Sequence, residues 1–475
     1  MSNHQSTTSI TLKLDKLTSI NLPDDLNLMS RFVLEEQGDW FEDELPFVRR
    51  LLKPGMQVID IGANYGCYAL SMANAVLQTD SKLPQGQVYA FEPCIDTFEM
   101  LSSSKELNNF AHLNLIHSGL SNQAGQATLY KSHNSELNSL HPKENSQQEQ
   151  ETIQLKTLDE CLDEFAWKNI DFLKLDAEGE ERNILLGAKR AFTELSPLVM
   201  FELKHGKQVH HELISDFERM GYNCFILNKA LDILLPFNAN SIDGYQLNLF
   251  ACKQDTAEKL EQQGLLSQQA FPVSMTSNQY ALKTIEESYA VIFNDYKNSM
   301  TVFSDKPKDT ATKMEYLHQW QASYVMLKNM LKNACDKETN SIELYSAYIR
   351  FSLLLGKRQE AVSNLHSLLS LTDMSKNNHL SQLKNSQPMI APIADYDNVC
   401  HNWNTGSLLD SSWLRAAALH TYIQHHAFSC YFSNKKILEK LQELNAFSFI
   451  KAPYMQARER LITQLVQKHN AKNNA

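Results

Sequence analysis

Between residues 57 and 253, short β-rich runs alternate with helix-patterned segments, and beyond residue 272 the alternation stops. A layered α/β fold buries both the faces of such strands and the apolar stripes of the helices between them. QVIDI (57–61), GQVYAFEP (86–93), LNLIHSGL (113–120), IDFLKLDAEG (170–179), LVMFELK (198–204), YNCFILN (222–228) and YQLNLFACK (245–253) read as the strands. The largely apolar opening of IDFLKLDAEG suits a strand covered on both faces, and the last two runs form a terminal hairpin. Helices are expected over 65–77, with Leu70, Ala73 and Leu77 on one stripe, and through Phe98 and Leu101. Two more are expected, one with Ile184, Ala188 and Ala191 on one side and one near 208–220. GQATLY (125–130) is a short β extension, whereas the amide-rich stretch 131–151 has no periodicity and predicts a mobile loop.

From about 273 to 475 only helical periodicity remains, in YALKTIEESYAVIFNDY, KMEYLHQWQASYVMLKNMLKNA and SSWLRAAALHTYIQHHAFSCYF. ELYSAYIRFSLLLGKRQEAVSNLHSLLSL (343–371) resembles one tetratricopeptide unit, with Leu355-Gly356 at its turn. Such repeats need about three copies to bury a core. The expected division is therefore 1–255 as an α/β domain and 273–475 as an all-α accessory domain. At 475 residues the chain has room for both.

Net charge and cysteine usage narrow the function classes. A charge of −11 disfavours binding to nucleic acid or anionic membrane by bulk electrostatics. The eight cysteines are scattered with no CxxC pair, which suits reduced thiols. The polar start MSNHQSTTSITLKLDKL has no apolar core of a signal peptide, and no run reaches the ~18 apolar residues of a membrane span. A cytoplasmic location is expected.

The strand-end chemistry starts at VIDIGANYGCYAL (58–70). Gly62 and Gly66 permit a tight turn, and the helix beginning near Tyr65 offers amides at its positive end. A dinucleotide site would want G-x-G-x-x-G. Here Asn64 stands inside the turn and Asp60 just before it, where a carboxylate would repel a pyrophosphate. The acid suits S-adenosylmethionine, which carries an amino group and a sulfonium. Glu92, at the end of the next strand, can accept both ribose hydroxyls. Asp176 and Glu178, two apart, project from one side if the strand stays extended. Together they can make a general base or share a divalent cation. Glu202 ends the following strand, and His205 has a pKa suited to taking a hydroxyl proton. Glu180 and Glu181 fit the positive start of a helix. The pairs His210-His211 and His425-His426 diverge by about 100° on a helix, and neither has a third metal ligand. Trp167 and Trp320 are expected in cores.

VIDIGANYGCYAL, AFEP, IHSGLSNQAG, TLDECL and IDFLKLDAEGEERNILLGA resemble the FkbM-type methyltransferases in order and spacing over roughly residues 30–253. That family's D-x-G-A-N-x-G loop stands at Asp60 to Gly66, and its K-x-D-x-E-G at Lys174 to Gly179. The resemblance implies a class I, Rossmann-like sheet of seven mostly parallel strands. It also implies S-adenosylmethionine-dependent methylation of a hydroxyl oxygen on a sugar, glycan, glycoconjugate or related natural product. Asp60, Gly62, Ala63, Asn64 and Gly66 would line the methionine end of the cofactor. Glu92 would hold the ribose, and Ser118 and Leu120 would border the adenine. Asn122 matches no motif position. Asp176, Glu178, Glu202 and His205 would serve turnover and acceptor placement.

Two other readings stay open beside it, and a third is set aside. A nucleotide-dependent dehydrogenase or epimerase lacks its full glycine pattern. A non-catalytic scaffold would use the helical half to bind a protein or a second copy of the chain. A nucleic-acid methylase would want an aromatic clamp where DAEG stands.

Overall fold

The chain opens with a hairpin that lies outside the alternating pattern. β1 (Ser9–Leu14) pairs antiparallel with β2 (Thr18–Pro23). Asp15 Oδ1 closes the turn by accepting the Leu17 and Thr18 amides at 3.0 and 3.2 Å. Helices α1 (Met29–Gln37) and α2 (Glu44–Leu51) follow. The computed structural model describes residues 8–142, 148–205, 208–209, 211–239, 242–270, 306–334, 341–372, 411–432, 439–440, 443 and 461.

The expected alternation then runs through β3 (Gln57–Ile61), α3 (Cys67–Val76), β4 (Gln87–Phe91), α4 (Ile95–Leu107) and β5 (Leu113–Ile116). Leu77, expected on the buried stripe, falls just past the end of α3 and is 36% exposed. Next come β6 (Gly119–Leu120), β7 (Gly125–Lys131) and β8 (Glu149–Lys156), a separate three-stranded sheet in the order β6-β8-β7. The loop expected over 131–151 is thus corrected. Its last residues begin β8, which pairs with β7 along seven residues. Ile153 and Leu155 pack with Cys94 and Leu129, while Glu149, Gln150 and Gln154 are exposed. Too few apolar residues alternate for periodicity to show the strand.

The chain continues through α5 (Leu158–Glu164), β9 (Phe172–Leu175), α6 (Glu181–Leu186), α7 (Lys189–Glu194) and β10 (Leu198–Glu202). Thr157 and Glu160 form a reciprocal capping box on α5. The single helix expected over Ile184, Ala188 and Ala191 is two short ones, broken at Gly187, though all three residues are buried. A Cβ at Gly187 would stand 2.3 Å from the Ser121 carbonyl oxygen, so the chain turns where another segment crosses it. β11 (Lys204–His205) and β12 (Gln208–Val209) make a small ladder before α8 (His211–Arg219) and β13 (Asn223–Asn228). β14 (Ile233–Pro236), β15 (Asn248–Cys252) and α9 (Gln254–Gln262) follow.

Two compact units emerge: residues 1–227 with 246–260, and residues 228–245 with 261–475. In the first, seven strands run in the order β5-β4-β3-β9-β10-β15-β13. The first five are mutually parallel, and β15 is antiparallel to both neighbours. The order reverses between β3 and β9, where open α/β sheets place their ligands.

The second unit contains α10 (Thr310–Ala334), α11 (Ser341–Leu354), α12 (Arg358–Leu371) and α13 (Ser411–His426). As expected, α11 and α12 form a helix pair about Leu355-Gly356, with Gly356 at φ +75°. Trp320, Phe351, Leu365 and Leu368 lie in its core. Residues 228–245 belong here although they fall before the expected boundary at 255. Asn228 Nδ2 donates to the Leu354 carbonyl at 2.9 Å, and Asp243 Oδ2 accepts the Gln359 amide at 2.8 Å. The helix expected over YALKTIEESYAVIFNDY lies outside the described residues. Among the described residues, no helix is long and apolar enough to cross a membrane.

Candidate active site

Asp60 and Lys174 are direct partners across β3 and β9, where the strand order reverses. Both turns that follow are tight. Gly62, Asn64 and Gly66 have φ of +79°, +50° and +97°. A Cβ on Gly62 would stand 1.8 Å from the Asp176 carbonyl oxygen, so this glycine lets the two turns meet. A Cβ on Gly66 would meet the Leu101 side chain at 2.4 Å. The Gly62 and Ala63 amides donate to the Phe91 carbonyl at 3.1 and 3.0 Å, which fastens the first turn to the end of β4. Helix α3 begins at Cys67, two residues later than expected, with no side-chain cap on its first amides.

The two acids expected at the cofactor are both buried. Glu92 Oε2 accepts the Asn64 amide at 2.7 Å, while Oε1 accepts the Cys94 amide at 2.9 Å and the Thr97 hydroxyl at 2.7 Å. Burial pushes its pKa up to about 7 against those donors. Asp60 is fully buried, and neither carboxylate oxygen has a hydrogen-bond partner of ordinary geometry. Burial raises it to about 6, opposed by the Lys174 charge and the nearby Ala69 amide. Unsatisfied buried acceptors are costly, and a cationic ligand relieves that cost. The residues present therefore fit S-adenosylmethionine: Asp60 as partner for positive charge, and Glu92 as an acceptor at the next strand end.

Lys174 lies at the centre of the acidic site and is 4% exposed. Its Nζ is 2.7 Å from Asp176 Oδ2 and 5.0 Å from the centre of the Tyr68 ring. Burial works against its charge, but Asp176, Asp60 and Glu42 outweigh it and raise the pKa. Tyr68 in turn donates to Glu42 Oε2 at 2.7 Å, and Asn248 Nδ2 donates to the same oxygen at 3.1 Å. Burial drives the Glu42 and Glu202 carboxyls upward, and neighbouring carboxylates add to the rise in both. Sequence reasoning missed Glu42, Tyr68 and Asn248, and gave Lys174 no role. No motif joins the first three, which the fold brings together from α2's approach, α3 and β15.

The DAEG turn differs from the extended geometry that placed Asp176 and Glu178 on one side. Strand β9 ends at Leu175, and Glu178 and Gly179 take φ of +51° and +100°. Glu181 takes the place expected of Glu178 beside Asp176. Asp176, Glu181 and Glu202 each offer an oxygen, all within 4.8 Å, the group among the described residues that could hold a metal ion. Glu178 remains near enough to raise Glu202. Glu181, expected only to favour a helix start, accepts the Ala177 amide at 2.8 Å and the Gly179 amide at 3.1 Å. Glu180 is buried and accepts from Ser121 Oγ at 2.5 Å and from Asn183 Nδ2 at 2.9 Å.

The remaining expected residues fall as follows. Ser118 and Leu120 are 2% and 3% exposed. The Ser118 hydroxyl is directed at the Gly119 and Gln154 carbonyls, and Asn122 is exposed. The His205 backbone pairs with Gln208, while its side chain lies outside the described residues. Part of the 131–151 stretch does reach both turns. Ser135 Oγ donates to Asn64 Oδ1 at 2.9 Å, and Ser139 Oγ donates to the Glu178 carbonyl at 2.9 Å. Trp167 is core, packed with Tyr89 and Phe165.

The strand order and the acidic site at the carboxyl ends of β3, β4 and β9 define a class I S-adenosylmethionine-dependent methyltransferase fold. Residues 60–224 match the family model described as the methyltransferase FkbM domain. Methyltransferase sdnD of Sordaria araneosa is 26% identical over 196 residues, 35% of this chain and 73% of that protein. Methyltransferase 1 of Beauveria bassiana is 28% identical over 169 residues, 32% of this chain and 65% of that protein. The chain thus spans just under two thirds of the second relative. The crystal structure of methyltransferase FkbM from Methylobacillus flagellatus KT shares 16% identity, covering 42% of this chain and 43% of that one. The TM-score between the two is 0.28.

Proposed function

We propose that this chain is an O-methyltransferase that methylates a hydroxyl of a sugar, a glycan or glycoconjugate, or a related natural product. The observation that carries the reading is the unpartnered, buried Asp60 carboxylate beside the Lys174–Asp176 pair where the strand order reverses. S-adenosylmethionine supplies, when bound, a methyl group on a sulfonium. Asp60, Gly62, Ala63, Asn64 and Gly66 hold its methionine end. Glu92 holds the ribose, and Ser118 and Leu120 flank the adenine. Asp176 takes the proton that the acceptor oxygen sheds, and Glu178, Glu202 and His205 orient the acceptor. A weak base suffices, because it only has to keep a protonated ether from building up. Most of the rate comes from alignment of two held reactants. So many carboxylates suit a neutral or cationic acceptor and repel an anionic one.

Chemistry is assigned to residues 1–255 and a binding role to 273–475, toward a protein, the acceptor or a second copy of the chain. The test is equilibrium dialysis with labelled S-adenosylmethionine, followed by an acceptor screen by mass spectrometry. Cofactor binding and a gain of one methylene on a hydroxyl compound are expected. Absence of cofactor binding overturns the assignment and favours a scaffold.

A further inference from the structure

We propose that Lys174 is the built-in cation of this site, a positioning residue whose ammonium holds Asp176 for methyl transfer and offsets the Asp60 charge, the part a divalent ion would otherwise play. The proposal rests on the methyltransferase reading above. Lys174 stands directly opposite Asp60 on the neighbouring strand, so both side chains leave the sheet on one face. It bonds Asp176 at 2.7 Å, lies against the Tyr68 ring and is nearly inaccessible. A lysine so buried is kept only where anions surround it. Here Asp60, Asp176 and Glu42 do so from β3, the end of β9 and the segment before α2.

The oxygens that a metal ion would need are in part already engaged. Asp176 holds the ammonium, and both Glu181 oxygens accept amides of the DAEG turn. The described acidic group offers three oxygens, so a hard divalent ion there would have to complete about six ligands with water. An ammonium needs no such shell and presents three donors. As the new O–C bond forms and the C–S bond breaks, the acceptor proton passes to an Asp176 oxygen. The Lys174 ammonium keeps its own protons throughout and fixes that carboxylate.

Manganese titration followed by electron paramagnetic resonance reads this directly. The wild-type chain should bind no stoichiometric manganese, whereas Lys174→Ala, which leaves the carboxylates uncompensated, should bind one ion per chain. Affinity for S-adenosylmethionine, measured by calorimetry, should fall about tenfold or more in Lys174→Met, because the buried Asp60 and Asp176 carboxylates lose the charge that offsets them. One manganese ion bound by the wild type and lost in Asp176→Asn would overturn the proposal, as would unchanged cofactor affinity in a folded Lys174→Met. If neither lysine variant folds, the wild type and Asp176→Asn still decide it. Failure of the wild type to bind S-adenosylmethionine would overturn the methyltransferase reading instead, and leaves the manganese result to judge Lys174.

Discussion

The Glu92 carboxylate accepts the Asn64 amide at 2.7 Å, so the end of β4 and the turn after β3 are tied by one side chain. The same carboxylate holds Cys94 and Thr97. Glu92→Ala leaves three donors without their acceptor, and should cost about 1–3 kcal/mol of stability in the ligand-free chain. It should also weaken S-adenosylmethionine severely. Urea unfolding and calorimetry check the two effects, and an unchanged unfolding midpoint would contradict the tie.

Gly62→Ala should be far worse than Gly66→Ala. The new Cβ at 62 meets the backbone oxygen of Asp176, which has nowhere to go, whereas at 66 it meets leucine side chains that can shift. Both positions carry positive φ, which costs an alanine about 1–2 kcal/mol. A loss above about 3 kcal/mol is expected for Gly62→Ala alone. Thermal unfolding of both variants gives the comparison.

Acidity should act on stability and cofactor binding in opposite directions. Asp60 and Glu92 are raised in the folded chain to about 6 and 7, from ordinary values of 3.8 and 4.5. The folded state therefore binds more protons than the unfolded one between about pH 4 and 7. Their contribution is complete below pH 4 and is lost as pH rises through 6 and 7. A cationic ligand prefers the ionised acids, so affinity for S-adenosylmethionine should climb over roughly pH 5.5–7.5. Calorimetry across that range measures it, and a flat profile would contradict the pairing of these acids with the cofactor.

In the helical unit, Glu360 Oε2 accepts the Tyr324 hydroxyl at 2.6 Å and also the Tyr348 hydroxyl, and the two rings stack 5.1 Å apart. Glu360→Ala should cost about 1–3 kcal/mol there, whereas Glu360→Gln, which keeps an acceptor, should cost less. Limited proteolysis of that unit together with calorimetric unfolding separates the two variants.

The parallel sheet was legible because β3, β9 and β10 are apolar runs bounded by glycines and acids. The first helix pair of the second half was legible through Leu355-Gly356. β8 was not, since Glu149 to Lys156 carries one buried residue, Ile153, and one partly buried, Leu155, among glutamines and glutamates. At the site, Asp60, Glu92 and Asp176 stood in motifs. Glu42 and Asn248 did not, because Tyr68 and Asn248 donate to one Glu42 oxygen only after the fold has brought distant segments together. The exchange of Glu178 for Glu181 came from the positive φ at Glu178, which ends the strand's two-residue period.

Calorimetric titration of S-adenosylmethionine into the wild-type chain and Asp60→Asn tests the central claim most directly. One equivalent bound by the wild type, with affinity falling at least about tenfold in the variant, is the predicted result. No binding to the wild type, or equal affinity in both, would contradict the account.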